Sequence, residues 1–212
     1  MAEPHVSGLI EIIKEESNSF QLWLGRMSQA WAETELSLYS VLVRYARVSD
    51  PVARALFSGM RSKGMCDAIT AILENTAASP ARKTDFDYVK AQIGAIQNMR
   101  DMLIHYATTT WASIGQLTPD NHKRILTDMT RAKRHKNART YYVDSKVLER
   151  MYRDMSIINT HLSRHTQKGR FKPYRPPEPS AWQYKSLQPE RHPPQIVTIR
   201  PTPRRQRGSS NP

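Results

Sequence analysis

Between residues 20 and 166 the apolar side chains recur at helical spacing, and no other feature narrows the fold as far. Trp23, Met27, Trp31, Leu38, Leu42 and Tyr45 follow one another in steps of three, four and seven. A period of 3.6 residues lays such steps on one face of a helix. Ser17 or Ser19 is the expected start of this first helix. Asp50-Pro51 repeats a start signal, a capping residue followed by proline, where the missing N–H costs nothing. The second helix carries Val52, Ala55, Leu56, Met60, Met65, Ile69 and Ile72, with a bend expected near Gly59 and Gly64. Ser79-Pro80 opens a third helix through Phe86, Val89, Ile93, Ile96, Met99, Leu103 and Tyr106. It ends at Thr108-Thr109-Thr110, because a β-branched run disfavours helix.

The period then changes. Residues 123–130 and 139–143 are short β-branched or aromatic stretches around a basic turn, residues 131–137, and predict a two-stranded hairpin. Asp144 or Ser145 caps a fourth helix bearing Val147, Leu148, Met151, Met155, Ile158 and Leu162. The expected fold is all-α: a four-helix, up-down bundle with a small inserted β-hairpin and a disordered basic C-terminal tail. Its divisions are an N-terminal extension over 1–16, which a short helix would suit, the bundle over 17–166, and the tail over 167–212.

The tail reading comes from composition. Residues 167–212 hold ten of the fourteen prolines and a net charge of +8 out of +13 for the chain. Their few apolar side chains do not offset the entropy of ordering them. The remaining +5 is ordinary for a globular domain, and much of it sits at the hairpin. Lys123, Arg124, Arg131, Lys133, Arg134, Lys136 and Arg139 stand against the single Asp128. They form either a solvated tip or a phosphate-contacting arm. Arg200, Arg204, Arg205 and Arg207 carry the same sign towards the same polyanionic partner. Phe171, Tyr174, Trp182 and Tyr184 lie between tail charges and suit stacking on unpaired bases. The run from Pro173 to Pro179 reads as an extended spacer or a polyproline ligand.

One cysteine excludes an intramolecular disulfide and a cysteine-based metal site. Cys66, with no histidine near it in sequence, reads as a small buried hydrophobe. No apolar window is long enough for a transmembrane helix, and charges cut through residues 9–16 as they do not in a signal peptide. The expected setting is a reducing cytoplasm. His161 and His165 lie four apart on the last helix, but no glutamate follows His161, so the zinc-hydrolase pattern is absent. They read as a surface pair without a ligand. Trp23 and Trp31 share a face with Met27 and read as core or dimer interface.

Arg100-Asp101-Met102-Leu103-Ile104-His105 is the most specific stretch. An arginine, four residues and a histidine, at the end of the third helix of a bundle, resemble the R-x4-6-H motif of the HEPN superfamily. Asp101 fits the polar residue that follows the arginine there. The resemblance covers residues 20–166 in helix order, though about six residues carry the motif. It implies metal-independent RNA cleavage without a cofactor: Arg100 holding phosphate, His105 as base or acid, Asp101 orienting the pair. It also implies a homodimer and, for a toxin or defence protein, an antitoxin or regulatory partner. Five residues turn a helix by about 500°, so the two side chains diverge by roughly 140°. A two-fold dimer would bring both pairs to one phosphate. The same residues also have a purely structural reading, Arg100 paired with Asp101 and His105 at a helix end. A non-catalytic helical interaction module with a nucleic-acid-binding tail is therefore the alternative.

Overall fold

The structure, a computed structural model, describes residues 4–105, 108–110, 124–127, 140–167 and 182–189. Helix dominates it. The elements are α1 (Pro4–Ala46), α2 (Asp50–Phe57), α3 (Ser62–Glu74), α4 (Pro80–His105), β1 (Thr108–Thr110), β2 (Arg124–Thr127), β3 (Thr140–Val143) and α5 (Ser145–Thr166). The all-α class holds at this level, with five helices among the described residues in place of four.

Helix α1 passes straight through Ser17 and Ser19, so neither caps it, and residues 4–16 are helical as its first turns. The reason lies in Glu16. Its carboxylate accepts the backbone N–H and the hydroxyl of Ser145, each at 2.8 Å. One turn of α1 thereby satisfies an orphan donor at the start of α5. Asp144 caps the same end by accepting from the N–H of Val147 at 2.9 Å. Helix α1 packs along α5 for much of its length and against α3.

The expected second helix is two. Ser49 precedes α2, with Asp50 and Pro51 in its first turn. The chain leaves α2 through Ser58 and through Gly59 at φ +76°, a left-handed turn that glycine enters without steric cost. Helix α3 then starts afresh. Helix α4 starts where Ser79-Pro80 indicates, the Ser79 carbonyl receiving the N–H groups of Arg82 and Lys83 at 3.0 and 3.2 Å.

The hairpin is present as β2 and β3, antiparallel, with Arg124 opposite Val143 and Thr127 opposite Thr140. The threonine run that ends the helical pattern is itself a strand. β1 pairs antiparallel with β2, giving a three-stranded sheet in the order β1-β2-β3. A β-branched run suits a pleated surface for the reason it leaves a helix. Lys123, Arg131, Lys133, Arg134, Lys136 and Arg139 lie outside the described residues, and Arg124 is placed by its backbone alone.

The core joins Met27, Trp31, Leu38 and Leu42 of α1 to Phe86, Ile93 and Met99 of α4 and Leu148, Met151 and Met155 of α5. Two members come from the stretch read as disordered tail. Trp182 and Tyr184 are buried, Trp182 stacking on Tyr88 with ring centroids 4.7 Å apart. Asp154, wholly buried on α5, receives the backbone N–H groups of Gln183 and Tyr184 at 3.0 and 2.8 Å. Gln92 donates to Asp154 at 2.8 Å and to the carbonyl of Tyr184 at 3.1 Å. Residues 182–189 are thus a docked strap, held by a carboxylate that composition does not reveal. Trp182 and Tyr184 are committed to the fold and are not base-stacking platforms. The remaining tail lies outside the described residues.

Candidate functional site

Arg100, Asp101 and His105 line one open groove of about 340 Å³, with Trp31 and Glu35 of α1, Arg61 and Ser62 at the start of α3, and Gln97 and Ile104 of α4. The roughly 140° between positions 100 and 105 does not part them. Arginine is long, and His105 is the exposed last residue of α4, where the groove opens. A single chain therefore brings together the three residues of the motif.

The arginine is held from two sides. Its Nη1 donates to Asp101 Oδ1 at 2.9 Å, and its guanidinium lies 5.7 Å from the centroid of the Trp31 ring. Both members of the ion pair are about one-third exposed, so solvent screens it and the pair orients more than it stabilises. Ser62 donates to Glu35 at 2.7 Å on the opposite wall. Two buried donors at this groove stay unsatisfied among the described residues: Arg100 Nε and Trp31 Nε1. A buried N–H without an acceptor costs about 1–3 kcal/mol. Both atoms are themselves buried, so the groove surface is made by the remaining guanidinium nitrogens of Arg100 and by its neighbours. Trp31, 2% exposed, is core as its periodicity says. Its ring edge at the groove has no signature in one sequence, and neither does Arg61.

A second polar cluster corrects the reading of His161 and His165 as a surface pair. They are 1% and 2% exposed, and Asp85 of α4, equally buried, lies between them. His161 Nδ1 donates to Asp85 Oδ1 at 2.8 Å, and His165 Nε2 donates to Oδ2 at 2.9 Å. With Nε2 as donor, the other nitrogen of a neutral His165 ring accepts the Tyr45 hydroxyl. Burial opposes ionisation of Asp85, but the bonds from His161 and then His165 prevail and hold its carboxyl at about 2. Burial likewise pushes the Tyr45 hydroxyl up to about 12, against the nearby Arg82. The spacing of four put the histidines on one face. It did not say that the face turns inward, because Asp85 is 76 positions away.

No three His, Cys, Asp or Glu side chains among the described residues are set to hold a metal ion. Cys66 is buried as expected, its thiol pushed up to about 12 by that burial. No helix among the described residues is long and apolar enough to cross a membrane. No protein-family model, curated protein or solved structure matches the chain.

Proposed function

We propose that this chain acts on RNA at the groove closing α4, as a metal-independent endoribonuclease of the HEPN kind. The observation that carries the reading is the meeting of Arg100, Asp101 and His105 in one open groove of one chain, beside a further cation, Arg61. Arg100 holds the phosphate and stabilises the charge that grows on it in the transition state. Asp101 and the Trp31 ring fix the guanidinium in place. His105 takes the proton from the ribose 2′-hydroxyl, whose oxygen attacks phosphorus. The 5′-oxygen leaves with a proton, and a 2′,3′-cyclic phosphate remains.

That reaction uses one base and one acid. Among the described residues one chain brings one histidine to the groove, and a two-fold dimer would supply a second. Ile104, 47% exposed on the groove wall, gives such a contact an apolar element. The basic residues at 123–139 and in the tail contribute non-specific affinity. One observation favours a second reading, a nucleic-acid-binding bundle without turnover: Arg100 is already closed on Asp101.

Wild type, His105→Ala and Arg100→Ala, incubated with total RNA in EDTA, decide between them. The nuclease reading expects cleavage by wild type and a loss of about 100-fold or more in each variant. Equal cleavage by all three, or none by wild type, ends it. Filter binding of the same RNA by a wild type that does not cleave would establish the second reading.

A further inference from the structure

A separate cavity of about 390 Å³ lies where α1 ends and α4 begins. Arg44, Arg47 and Arg82 line it, with Tyr45 and His165 between them. No carboxylate lines it among the described residues, and Asp85, beside His165, is engaged by His161 and His165. Ile72, Leu73, Ala77 and Ala78, from the end of α3 and the turn after it, form an apolar wall. We propose that this cavity binds a phosphorylated small molecule, its phosphate held by the three arginines and its organic part lying along the apolar wall.

A basic residue near a helix C-terminus is ordinary, since it complements the partial negative charge there. Arg44, in the last turn of α1, needs no further explanation. Arg82 is placed otherwise: it lies near the N-terminus of α4, where a cation opposes the helix field. Its guanidinium sits 5.8 Å from the centroid of the Tyr45 ring, at the cavity edge. Arg47 is the second anomaly. It is the only non-glycine with positive φ among the described residues, at 54°, where α1 ends. Glycine is the usual residue in that conformation because any Cβ is strained there by about 1 kcal/mol. The chain thus places two arginines on this cavity against local preference, which suits a strong anion more than a helix cap.

His165 and Tyr45 give the site a built floor. The histidine is nine-tenths buried and more, fixed through Nε2 by Asp85, and it positions the Tyr45 hydroxyl at the cavity wall. Arginine is the side chain suited to a phosphate because its planar fork donates two N–H groups at once. A volume of this size accommodates more than a phosphate, and it falls within the range of small-molecule pockets.

Calorimetric titration of the full chain tests this with three probes: inorganic phosphate, adenosine 5′-monophosphate and adenosine. The nucleotide should bind, phosphate should bind more weakly and compete with it, and adenosine should bind at least 10-fold less tightly than the nucleotide. Arg82→Gln and Arg47→Gly should each weaken nucleotide binding about 10-fold or more. Arg47→Gly also relieves the strained backbone, so its thermal midpoint should hold or rise, and lost binding cannot be laid to unfolding. The proposal is overturned if neither phosphorylated probe binds at millimolar concentration, if adenosine binds as well as its phosphate, or if both variants bind as wild type does. None of these outcomes bears on cleavage at Arg100 and His105.

Discussion

Asp85 shows how much one buried side chain changes the meaning of its neighbours. Without it, His161 and His165 are two polar residues on a helix. With it, they are donors to a charge in the core, and Tyr45 is tied to them. The sign of the pH effect follows from the direction of the shift. The folded carboxyl sits at about 2, below the roughly 3.9 of an unfolded aspartate. Its contribution, on the order of 2 kcal/mol, is therefore complete above about pH 4 and lost as pH falls towards 2. Asp85→Asn should destabilise the fold by about 3 kcal/mol at neutral pH, since it removes one partner of a buried charged network. Denaturant melts of both proteins across pH 2–6 would check this. The gap between them should narrow below about pH 4, and a gap independent of pH would refute the ionic account. At the proposed nuclease groove, by contrast, Arg100, Asp101 and His105 were singled out by the resemblance of their stretch to a family motif, while helical spacing alone set positions 100 and 105 about 140° apart. Trp31 and Arg61 were not, because they reach the groove from other helices and nothing within α4 refers to them.

At the scale of elements, period and punctuation located much of the helix. The proline signals at 51 and 80 mark the starts of α2 and α4 to within a residue or so. Errors came where a remote partner overrode a local signal. Ser17 and Ser19 are good caps, yet α1 continues through them because Glu16 is used to cap α5. Threonine at 108–110 signals a helix end but not a strand, since pairing depends on β2, further along the chain. The strap at 182–189 is the largest case. Set within a stretch that is proline-rich and basic by composition, it docks because Asp154 accepts two of its backbone N–H groups. Burial pushes the Asp154 carboxyl up, and the N–H groups of Tyr184 and Gln183, with the Gln92 amide, pull against that rise. Asp154→Asn turns one acceptor into a donor facing donors, at a cost of about 1–3 kcal/mol. Trypsin should then cut after Lys185, exposed but held in the strap, about 10-fold faster than in wild type. An unchanged rate would mean that the strap is held by Trp182 and Tyr184 alone.

For the whole molecule, the charge of +13 divides unevenly, and the proposed activities divide with it. Residues 190–212 hold five arginines and one glutamate and lie beyond the strap. Removing them should leave the thermal midpoint unchanged while weakening RNA binding. It should also flatten the dependence of log affinity on log salt, by up to about 0.7 for each phosphate of a single strand that is no longer neutralised. A chain ended after Gln167 should in addition lose stability, because the strap goes with it. If both truncations melt alike, Trp182 and Tyr184 contribute little to the core.

Docking of the strap also sets a limit on reach. Residues 168–181 join Gln167, which lines the arginine cavity, to Trp182, which is anchored in the core. A segment fastened at both ends cannot travel as a free tail does. At no more than about 3.6 Å per residue, its midpoint stays within about 25 Å of its two anchors. Lys168, Arg170, Lys172 and Arg175 are therefore a tethered reservoir of positive charge at a high effective concentration beside the bundle. An anion arriving at the cavity mouth is thus within chain reach of cations tied to the same fold.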